Sequence, residues 1–432
     1  MSSRKPTFAL IDCNNFFVSC ERVFRPDLAD KPVAVLSNND GCIVARSQEV
    51  KALGIPMGAP QFKYRDILSA NDVQQFSANF SLYGDFSRRV VEVLKSFTPY
   101  IEVYSVDESF LEIGSLLIQD YQAWAEDVSQ SVYKQTGIPV SVGVASSKTL
   151  AKAATELVKQ GQGNRGGLSM VGASVQDRQV WLSQLPIGEV WGIGRRLGPR
   201  LAQLSVRTAL DLSETTPKWA KQRLTVRGER TVRELKGQAC FGLSEDKADS
   251  GQKSLAVTRS FGRAMRSIHQ LESAVASFAT KASIRLRRKR QIAGAMAVFI
   301  RTGAGATEPF SVSTLVKLEY PTADTSRLVG AAIEGLERIY REEHGIKKAG
   351  VILMDLKPAN AQQMTLAQLN QPERLDKSDR LMKALDQLNA KYGTRVLKTA
   401  SEGPPERTEW LSLRQNVSPQ YTTNWAQLAT VK

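Results

Sequence analysis

The chain has 432 residues, too many for one ordinary domain, so we expect roughly three to four folding units. Hydrophobic residues make up 42% of it, which excludes wholesale disorder, and a formal net charge of +15 calls for an anionic partner. No stretch approaches the ~18 apolar residues of a membrane span, and the N-terminal residues lack a signal-peptide core. We therefore expect a cytoplasmic protein that binds nucleic acid and no membrane.

Cysteine and histidine are scarce in this chain. Four cysteines occur without any Cys-x-x-Cys spacing, and there are two histidines. We therefore do not expect structural zinc or a nucleophile system of the Ser-His or Cys-His kind. The cysteines are expected to be small buried side chains in a reducing cytoplasm.

The first predicted strand, residues 7–12, ends in an acid. Asp12 closes an apolar run, and a second acidic pair, Asp107 and Glu108, interrupts the apolar run of residues 101–113. Carboxylates held at strand ends are what a two-magnesium phosphoryl-transfer site needs, because Mg²⁺ takes hard oxygen ligands. The pattern therefore predicts a metal-dependent nucleotidyl transferase.

Asp107 and Glu108 are adjacent in the sequence, which restricts how both side chains could reach one metal site. Successive residues on a flat strand point to opposite faces, so Asp107 and Glu108 can share one metal site only if the chain bends there. Ser105 and Ser109 favour a tight turn or bulge at this point. An exposed acidic hairpin is the alternative.

Two adjacent aromatic residues follow the first acid. Phe16 and Phe17 could simply be core residues. The functional interpretation is a steric gate, in which the ring of Phe17 lies under the sugar of a nucleotide and leaves no room for a 2′-hydroxyl. Both interpretations stay open on the residues alone.

Lysines on two predicted helices are candidates for phosphate binding. Lys51 lies near the end of a short helix, and Lys148, Lys152 and Lys159 lie on a long helix predicted over 148–159. Their spacing places the last three on one helix face. That face is either solvated or binds a triphosphate, for which lysine supplies a point charge.

The first half of the chain alternates strands with helices. Strand signals recur at residues 101–106, 110–113 and 139–145. This order, with one hairpin in it, predicts an α+β core like a palm, and residues 16–79 would form an insertion in that core.

A local motif for DNA binding occupies residues 185–204. Gly192 and Gly194 alternate with hydrophobic residues between two short predicted helices, as in a helix-hairpin-helix. Glycines there let backbone N–H groups approach a DNA phosphate, which positions a protein without reading sequence. An ordinary turn between two helices is the alternative. Three arginines add positive charge: Arg195, Arg196 and Arg200.

The second half has the ferredoxin-like β-α-β-β-α-β order. Its predicted elements are strand 254–260, helix 268–290, strand 293–301, strand 314–319, helix 325–341 and strand 348–356. The end of the first helix carries a basic run, 281–290, that would bind a phosphate backbone in a salt-sensitive way. Pro358 and a Gln/Asn-rich stretch mark a boundary before a polar tail.

These residues together resemble the Y-family of translesion DNA polymerases, and within it the UmuC-like members. The resemblance covers nearly the whole chain. Its most specific parts are Asp12-Cys-Asn-Asn-Phe-Phe-Val-Ser-Cys-Glu21, Ser37-Asn-Asn-Asp-Gly-Cys-Ile-Val-Ala-Arg46, Lys51-Ala-Leu-Gly-Ile55, Tyr104-Ser-Val-Asp-Glu108, Val190-Trp-Gly-Ile-Gly-Arg-Arg196 and Arg259-Ser-Phe-Gly262.

The resemblance implies an α+β multidomain fold shaped like a right hand, with palm, fingers, helix-hairpin-helix thumb and ferredoxin-like little finger. Our segmentation of the chain agrees with it. The domains would be palm 1–15 and 80–167, fingers 16–79, thumb 168–250, little finger 251–358 and a UmuC-type C-terminal tail 359–432.

The resemblance also implies roles for single residues. Asp12, Asp107 and Glu108 would be the catalytic carboxylates that hold two Mg²⁺ ions, with the Cys13 carbonyl as a further ligand. The residues implied for nucleotide binding are Phe16, Phe17 as the steric gate, Lys51 and Lys159. The residues expected to bind DNA are Gly192, Gly194, Arg195, Arg196, Arg200, Arg259, Arg287, Arg288, Lys289 and Arg290.

Two positions depart from the family pattern. Lys51 stands where many members have arginine, and Gln48 stands where many have tyrosine. The triphosphate contacts of the fingers therefore do not carry over unchanged. The nearest match to a sliding-clamp peptide, residues 363–367, lacks the terminal phenylalanine, so clamp binding through it is not expected.

The implied function is error-prone, DNA-directed DNA synthesis past lesions in the SOS response. The substrates would be primed, damaged DNA and dNTPs, and the partners a UmuD′-like dimer and a RecA filament that act through the tail. We expect the catalytic fold to stay soluble without residues 359–432. The alternatives are a DNA-binding repair scaffold with a vestigial polymerase site and a two-metal nuclease.

Overall fold

The computed structural model describes residues 6–243, 252–303, 305–361, 372–393, 396–404, 410 and 414–428. The chain divides into two compact units, residues 1–246 with 415–432 and residues 247–414. The predicted tail, 359–432, is therefore shared between both units. Within the described ranges, no helix is long and apolar enough to cross a membrane.

The elements of the first unit are, in chain order, β1 (Phe8–Cys13), α1 (Phe16–Val23), β2 (Val33–Leu36), β3 (Ile43–Arg46), α2 (Gln48–Ala52), α3 (Arg65–Ala70), β4 (Gln74–Ser77), α4 (Phe80–Lys95), β5 (Ile101–Val103), β6 (Glu108–Glu112), α5 (Tyr121–Thr136), β7 (Val140–Ala145), α6 (Lys148–Lys159), β8 (Gly167–Ser169), α7 (Val175–Gln184), α8 (Leu197–Ala202), α9 (Ala209–Glu214) and α10 (Pro217–Leu235). Those of the second unit are β9 (Ser254–Met265), α11 (Ile268–Arg288), β10 (Gln291–Arg301), β11 (Ser311–Thr322), α12 (Thr325–Ile339), β12 (Ile346–Pro358) and α13 (Pro372–Tyr392).

The main sheet of the first unit has the strand order β5-β6-β1-β7-β8. Every residue of β1 is buried, because both faces of the sheet are covered. Ala9 and Ile11 face one hydrophobic core, and Phe8 and Leu10 face the other. Successive residues of β1 thus alternate between the two cores. Asp12, near the C-terminal end of the strand, lies at the edge of both.

Helix α6 has the bounds predicted for it, 148–159. It begins at Ser147, whose hydroxyl accepts a hydrogen bond from the Leu150 N–H and so caps the first turn. The helix packs on β7 and β1. Its packing on β1 brings its C-terminal Lys159 close to the carboxyl end of that strand.

The insertion forms a small sheet of its own, in the order β3-β2-β4. Strands β2 and β4 run parallel, and β2 and β3 run antiparallel. The sheet packs on a separate core that includes Leu36, Ile43 and Val50. The sequence did not predict these strands, because each has only four residues and they lie among Gly- and Asn-rich turns.

The predicted helix-hairpin-helix lies before and within α8. Its hydrophobic positions are buried, as at Ile187, Ile193 and Leu201. Gly192 has a φ of 88°, in the left-handed region, so this turn needs a glycine.

The second unit has the predicted β-α-β-β-α-β order. Its strands pair antiparallel in the sequence β11-β10-β12-β9. Each β-α-β crossover therefore spans one intervening strand, which is the split arrangement. Helices α11 and α12 pack together over the core.

Part of the predicted tail belongs to the hydrophobic core of the second unit. Trp410 is 0% exposed and belongs to the core of that unit. Its indole N–H donates to Ser273 Oγ at 3.3 Å, and its ring lies edge-to-face with Phe278. The expectation that the fold stays soluble without residues 359–432 is therefore not supported, because the deletion opens this core.

Candidate active site

The register of the main sheet brings the predicted acids together. Asp12 on β1 lies opposite Glu108, the first residue of β6. The N–H of Cys13 donates to the carbonyl of Asp107 at 2.9 Å. The acids are thus neighbours across two strands although about a hundred residues separate them in the chain.

Asp107 lies in a tight turn just before β6. The N–H groups of Tyr104 and Ser105 both donate to the Glu108 carbonyl at 3.0 Å. Ser105 Oγ donates to Asp107 Oδ1 at 2.5 Å and accepts from the Asp107 N–H at 3.3 Å. The bend that the serines predicted is present, so Asp107 and Glu108 face the same cavity.

A cavity of about 460 Å³ lies at this edge of the sheet. The three predicted acids, the aromatic pair and two of the candidate phosphate-binding lysines line it. These lining residues are Asp12, Cys13, Asp107, Glu108, Phe16, Phe17, Lys51 and Lys159.

Two lysines of α6 pair with the acids in this structure. Lys159 Nζ lies 2.7 Å from Asp12 Oδ2, and Lys152 Nζ lies 2.5 Å from Glu108 Oε1. The same helix carries both lysines, seven residues apart, so one element supplies the counter-charges. Of the three lysines on this helix face, Lys159 lines the cavity. Lys148 is buried and pairs with Glu102 instead.

The two facing carboxylates differ in acidity. Burial raises the pKa of Asp12 to about 7, against the opposing charge of Lys159, and the neighbouring Glu108 adds to the rise. Burial also acts on Glu108, but hydrogen bonding and the charge of Lys152 hold its pKa below its ordinary value. A buried pair of acids this close favours cations between them.

The donor set fits Mg²⁺ in part. Asp12 and Glu108 are adjacent hard oxygen donors, while Asp107 is turned to Ser105. Among the residues that the structure describes, no three His, Cys, Asp or Glu side chains are grouped closely enough to hold a metal ion. Asp107 lines the same cavity as Asp12 and Glu108. Burial raises the pKa of the Cys13 thiol, and the residue's carbonyl, not its thiol, is the metal ligand that the resemblance implies.

Phe16 and Phe17 lie in different environments. Phe16 is 4% exposed and belongs to the core, although it also borders the cavity. Phe17 is half-buried, and its ring stacks on Tyr83 with centroids 4.4 Å apart. Phe80 meets the Phe17 ring edge-on at 5.9 Å. Phe17 is therefore held on two sides, with the cavity on another.

Two further residues of the small sheet region line the cavity and were not singled out as nucleotide contacts. Arg46 is the last residue of β3, and its guanidinium donates to the Ile55 carbonyl. Gln48 begins α2. The alternating burial of β3 puts Val44 and Arg46 on the cavity side. Recognition of this short strand would have indicated Arg46.

The predicted DNA contacts of the first unit lie on its surface. Gly192, Gly194, Arg195, Arg196 and Arg200 are all exposed, while Ile193 between the two glycines is buried. The motif thus presents backbone and positive charge together.

The predicted DNA contacts of the second unit are not equivalent. Arg288, Lys289 and Arg290 are exposed at the end of α11. The guanidinium of Arg259 lies 5.9 Å from the centre of the Trp410 ring. Arg287 makes a bidentate ion pair with Asp386, at 2.7 Å for both contacts. Because this ion pair holds the Arg287 guanidinium against α13, we do not include Arg287 in the proposed DNA surface.

Family models match four stretches of the chain. The profile of the impB/mucB/samB family matches residues 11–156, its C-terminal domain matches 252–366, and the IMS family HHH motif matches 175–204. A domain of unknown function matches residues 379–431.

Curated relatives and a solved structure agree with these matches. Protein UmuC of Salmonella typhimurium is 39% identical over 429 residues, which cover 98% of this chain and 100% of that protein. Protein MucB of Escherichia coli is 37% identical over 98% of this chain and 100% of its own length. DNA polymerase IV of Oceanobacillus iheyensis is 25% identical over 90% of each. A Y-family DNA polymerase chimera superposes with a TM-score of 0.62 at 20% identity, covering 81% of this chain and 98% of its own.

The fold is that of the Y-family DNA polymerases. Within that class the chain belongs to the impB/mucB/samB family, the group of UmuC-like polymerases. The resemblance and the fold class that the sequence indicated are confirmed.

Proposed function

We propose that this protein extends DNA primers past damaged template bases as part of the SOS response, by two-metal nucleotidyl transfer. One observation carries the proposal: the acids Asp12, Asp107 and Glu108, the ring of Phe17 and the lysine Lys159 line one cavity. Joining a nucleotide to a primer end needs carboxylates that hold metal ions and cations that bind the triphosphate. The aromatic ring would lie under the sugar of the nucleotide.

The chain's residues would divide the reaction between them. Two Mg²⁺ ions, when bound, lower the pKa of the primer 3′-hydroxyl and offset charge on the α-phosphate and the leaving pyrophosphate. Asp12, Asp107 and Glu108 would hold them. Lys159, released from its pair with Asp12, would serve the triphosphate as a point charge, and so would Lys51, which lines the same cavity.

DNA would bind through backbone contacts. The exposed turn around Gly192 and Gly194, with its arginines, would hold phosphates of the duplex. The basic end of α11 would add contacts from Arg288, Lys289 and Arg290. A UmuD′-like dimer and a RecA filament are proposed as partners from the resemblance. The peptide 363–367, considered for the sliding clamp, lies outside the described residues.

One assay separates this function from its alternatives. The purified protein is incubated with a primed template, Mg²⁺ and dNTPs, and the primer length is measured. Extension supports the polymerase, no reaction supports a scaffold with a vestigial site, and shortening supports a two-metal nuclease. The presence of Phe17 and Lys159 in the same cavity as the acids favours extension, because a nuclease needs neither a sugar gate nor a triphosphate contact.

A further inference from the structure

The C-terminal segment, residues 415–428, packs on the first unit beside the fingers insertion. The Ser77 N–H donates to the Asn416 carbonyl at 2.8 Å, and the Asn416 N–H donates to Ser77 Oγ at 3.0 Å. Tyr421 stacks on Phe24 with ring centroids 4.3 Å apart. Backbone pairing and a ring stack thus fix the segment in one register against β4 and α1.

Ser418 of this segment enters a buried hydrogen-bond network. Its hydroxyl donates to Glu21 Oε1 at 3.1 Å and accepts from Asn79 Nδ2 at 3.0 Å. The Tyr83 hydroxyl donates to the same Glu21 oxygen at 2.7 Å. All four side chains are buried, and Glu21 is 0% exposed. Because a buried carboxylate needs its donors, Ser418 helps to fix where Glu21 and Tyr83 lie.

Through Tyr83, the hydrogen-bond network reaches the ring of Phe17, the proposed steric gate. The Tyr83 ring stacks on the Phe17 ring at an interplanar angle of 14°. Phe17 and Glu21 are four residues apart on α1, so they share one helix face. A hydrogen-bonded chain therefore runs from Ser418 through Glu21 and Tyr83 to the ring that borders the nucleotide cavity.

We propose that the C-terminal segment takes part in sugar selection, with Ser418, Glu21 and Tyr83 as positioning residues for Phe17. This inference rests on the proposed polymerase function. A steric gate excludes a 2′-hydroxyl only if its ring cannot move aside, and Tyr83 backs the ring on the face that it stacks against. The segment lies in the part of the chain that matches a domain of unknown function.

The test compares kcat/KM for dCTP and CTP opposite a template guanine, with the full chain, primed DNA and Mg²⁺. Ser418→Ala and Tyr83→Phe each remove one donor to Glu21 and should each lower the deoxy-to-ribo ratio about threefold, as one hydrogen bond's net contribution allows. The double variant should lower it by less than the product of the two. Trp425→Ala, in the same segment but 89% exposed, should keep the parent ratio.

Three results would overturn the proposal. An unchanged ratio in Ser418→Ala, with a parent that extends primers and selects dCTP, removes the segment from selection and leaves the polymerase function intact. An equal loss of both rates means that Ser418 only supports folding. A parent that extends no primer overturns the proposed function itself.

Discussion

Phe17 is the residue whose ring volume is expected to decide sugar choice. Phe17→Ala should raise ribonucleotide incorporation about tenfold or more, because about 1.4 kcal/mol of relieved overlap corresponds to that factor. Close-packed sites resist even one additional heavy atom, which is why the parent should exclude the 2′-hydroxyl. Single-nucleotide incorporation of dCTP and CTP measures the change.

Phe16→Ala is the matched control for that variant. Phe16 is a core residue of the same helix, at 4% exposure. Its truncation should lower stability without relaxing sugar choice. If Phe17→Ala excludes CTP as well as the parent does, the gate lies elsewhere in the cavity.

Glu21 gives the fold a pH dependence. Burial raises the pKa of Glu21, although hydrogen bonds from Tyr83 and Ser418 oppose the rise. The folded chain then binds this proton more tightly than the unfolded chain does. The free energy of unfolding should therefore fall as pH rises from the ordinary glutamate pKa of about 4.3 through the raised value.

Glu21→Gln removes this titrating group and should flatten that fall. Denaturant unfolding of parent and variant across the acidic range measures the difference. Identical pH profiles would mean that Glu21 keeps an ordinary pKa in the folded protein.

That the three acids lie together could be predicted from the sequence, because Asp12 closes one apolar run and Asp107 and Glu108 interrupt another. Arg46 could not, since the strand that orients it has four residues. The ion pair between Lys159 and Asp12 could not be predicted from the sequence either, because it depends on how α6 packs across β1.

At the scale of elements, long and strongly patterned segments were predictable. Helix α6 has its predicted bounds, and β1 is displaced by one residue, Phe8–Cys13 against 7–12. Strand β9 continues to Met265, beyond the predicted 260, because pairing with β12 extends it. The docking of residues 415–428 on β4 could not be predicted, since the partners lie more than three hundred residues apart.

The helix-hairpin-helix turn should contribute to DNA affinity without sequence preference. Arg195→Ala with Arg196→Ala should weaken binding to unrelated duplexes about equally and reduce the slope of log affinity against log salt by about 2. Fluorescence anisotropy across a salt series measures both. Lys218→Ala with Lys221→Ala on α10 is the charge-matched control. A slope that does not change would remove this turn from the DNA interface.

At the scale of the whole molecule, the tail is structural as well as a proposed docking region. Trp410→Ala should lower the free energy of unfolding by about 3–5 kcal/mol, the usual cost of emptying a buried tryptophan site. Trp425→Ala is the matched control, because Trp425 is 89% exposed. Equal stability of both variants, followed by denaturant unfolding, would contradict the assignment of Trp410 to the core.

The net charge of +15 is explained at this scale by the proposed DNA surfaces on both units. The proposed two-metal reaction depends on the acids of one cavity. Asp107 is the best acid to replace, because its side chain is only half-buried and its carboxylate accepts a hydrogen bond from Ser105.

The most direct measurement is the single-turnover rate of dNTP incorporation by Asp107→Ala relative to the parent, with Mg²⁺ and a primed template. Loss of a group that positions charge at the reacting phosphate should cost at least about a hundredfold in rate. Thermal unfolding of the variant should match the parent, which separates chemistry from folding. An Asp107→Ala protein that incorporates nucleotides at the parent rate would contradict the two-metal account.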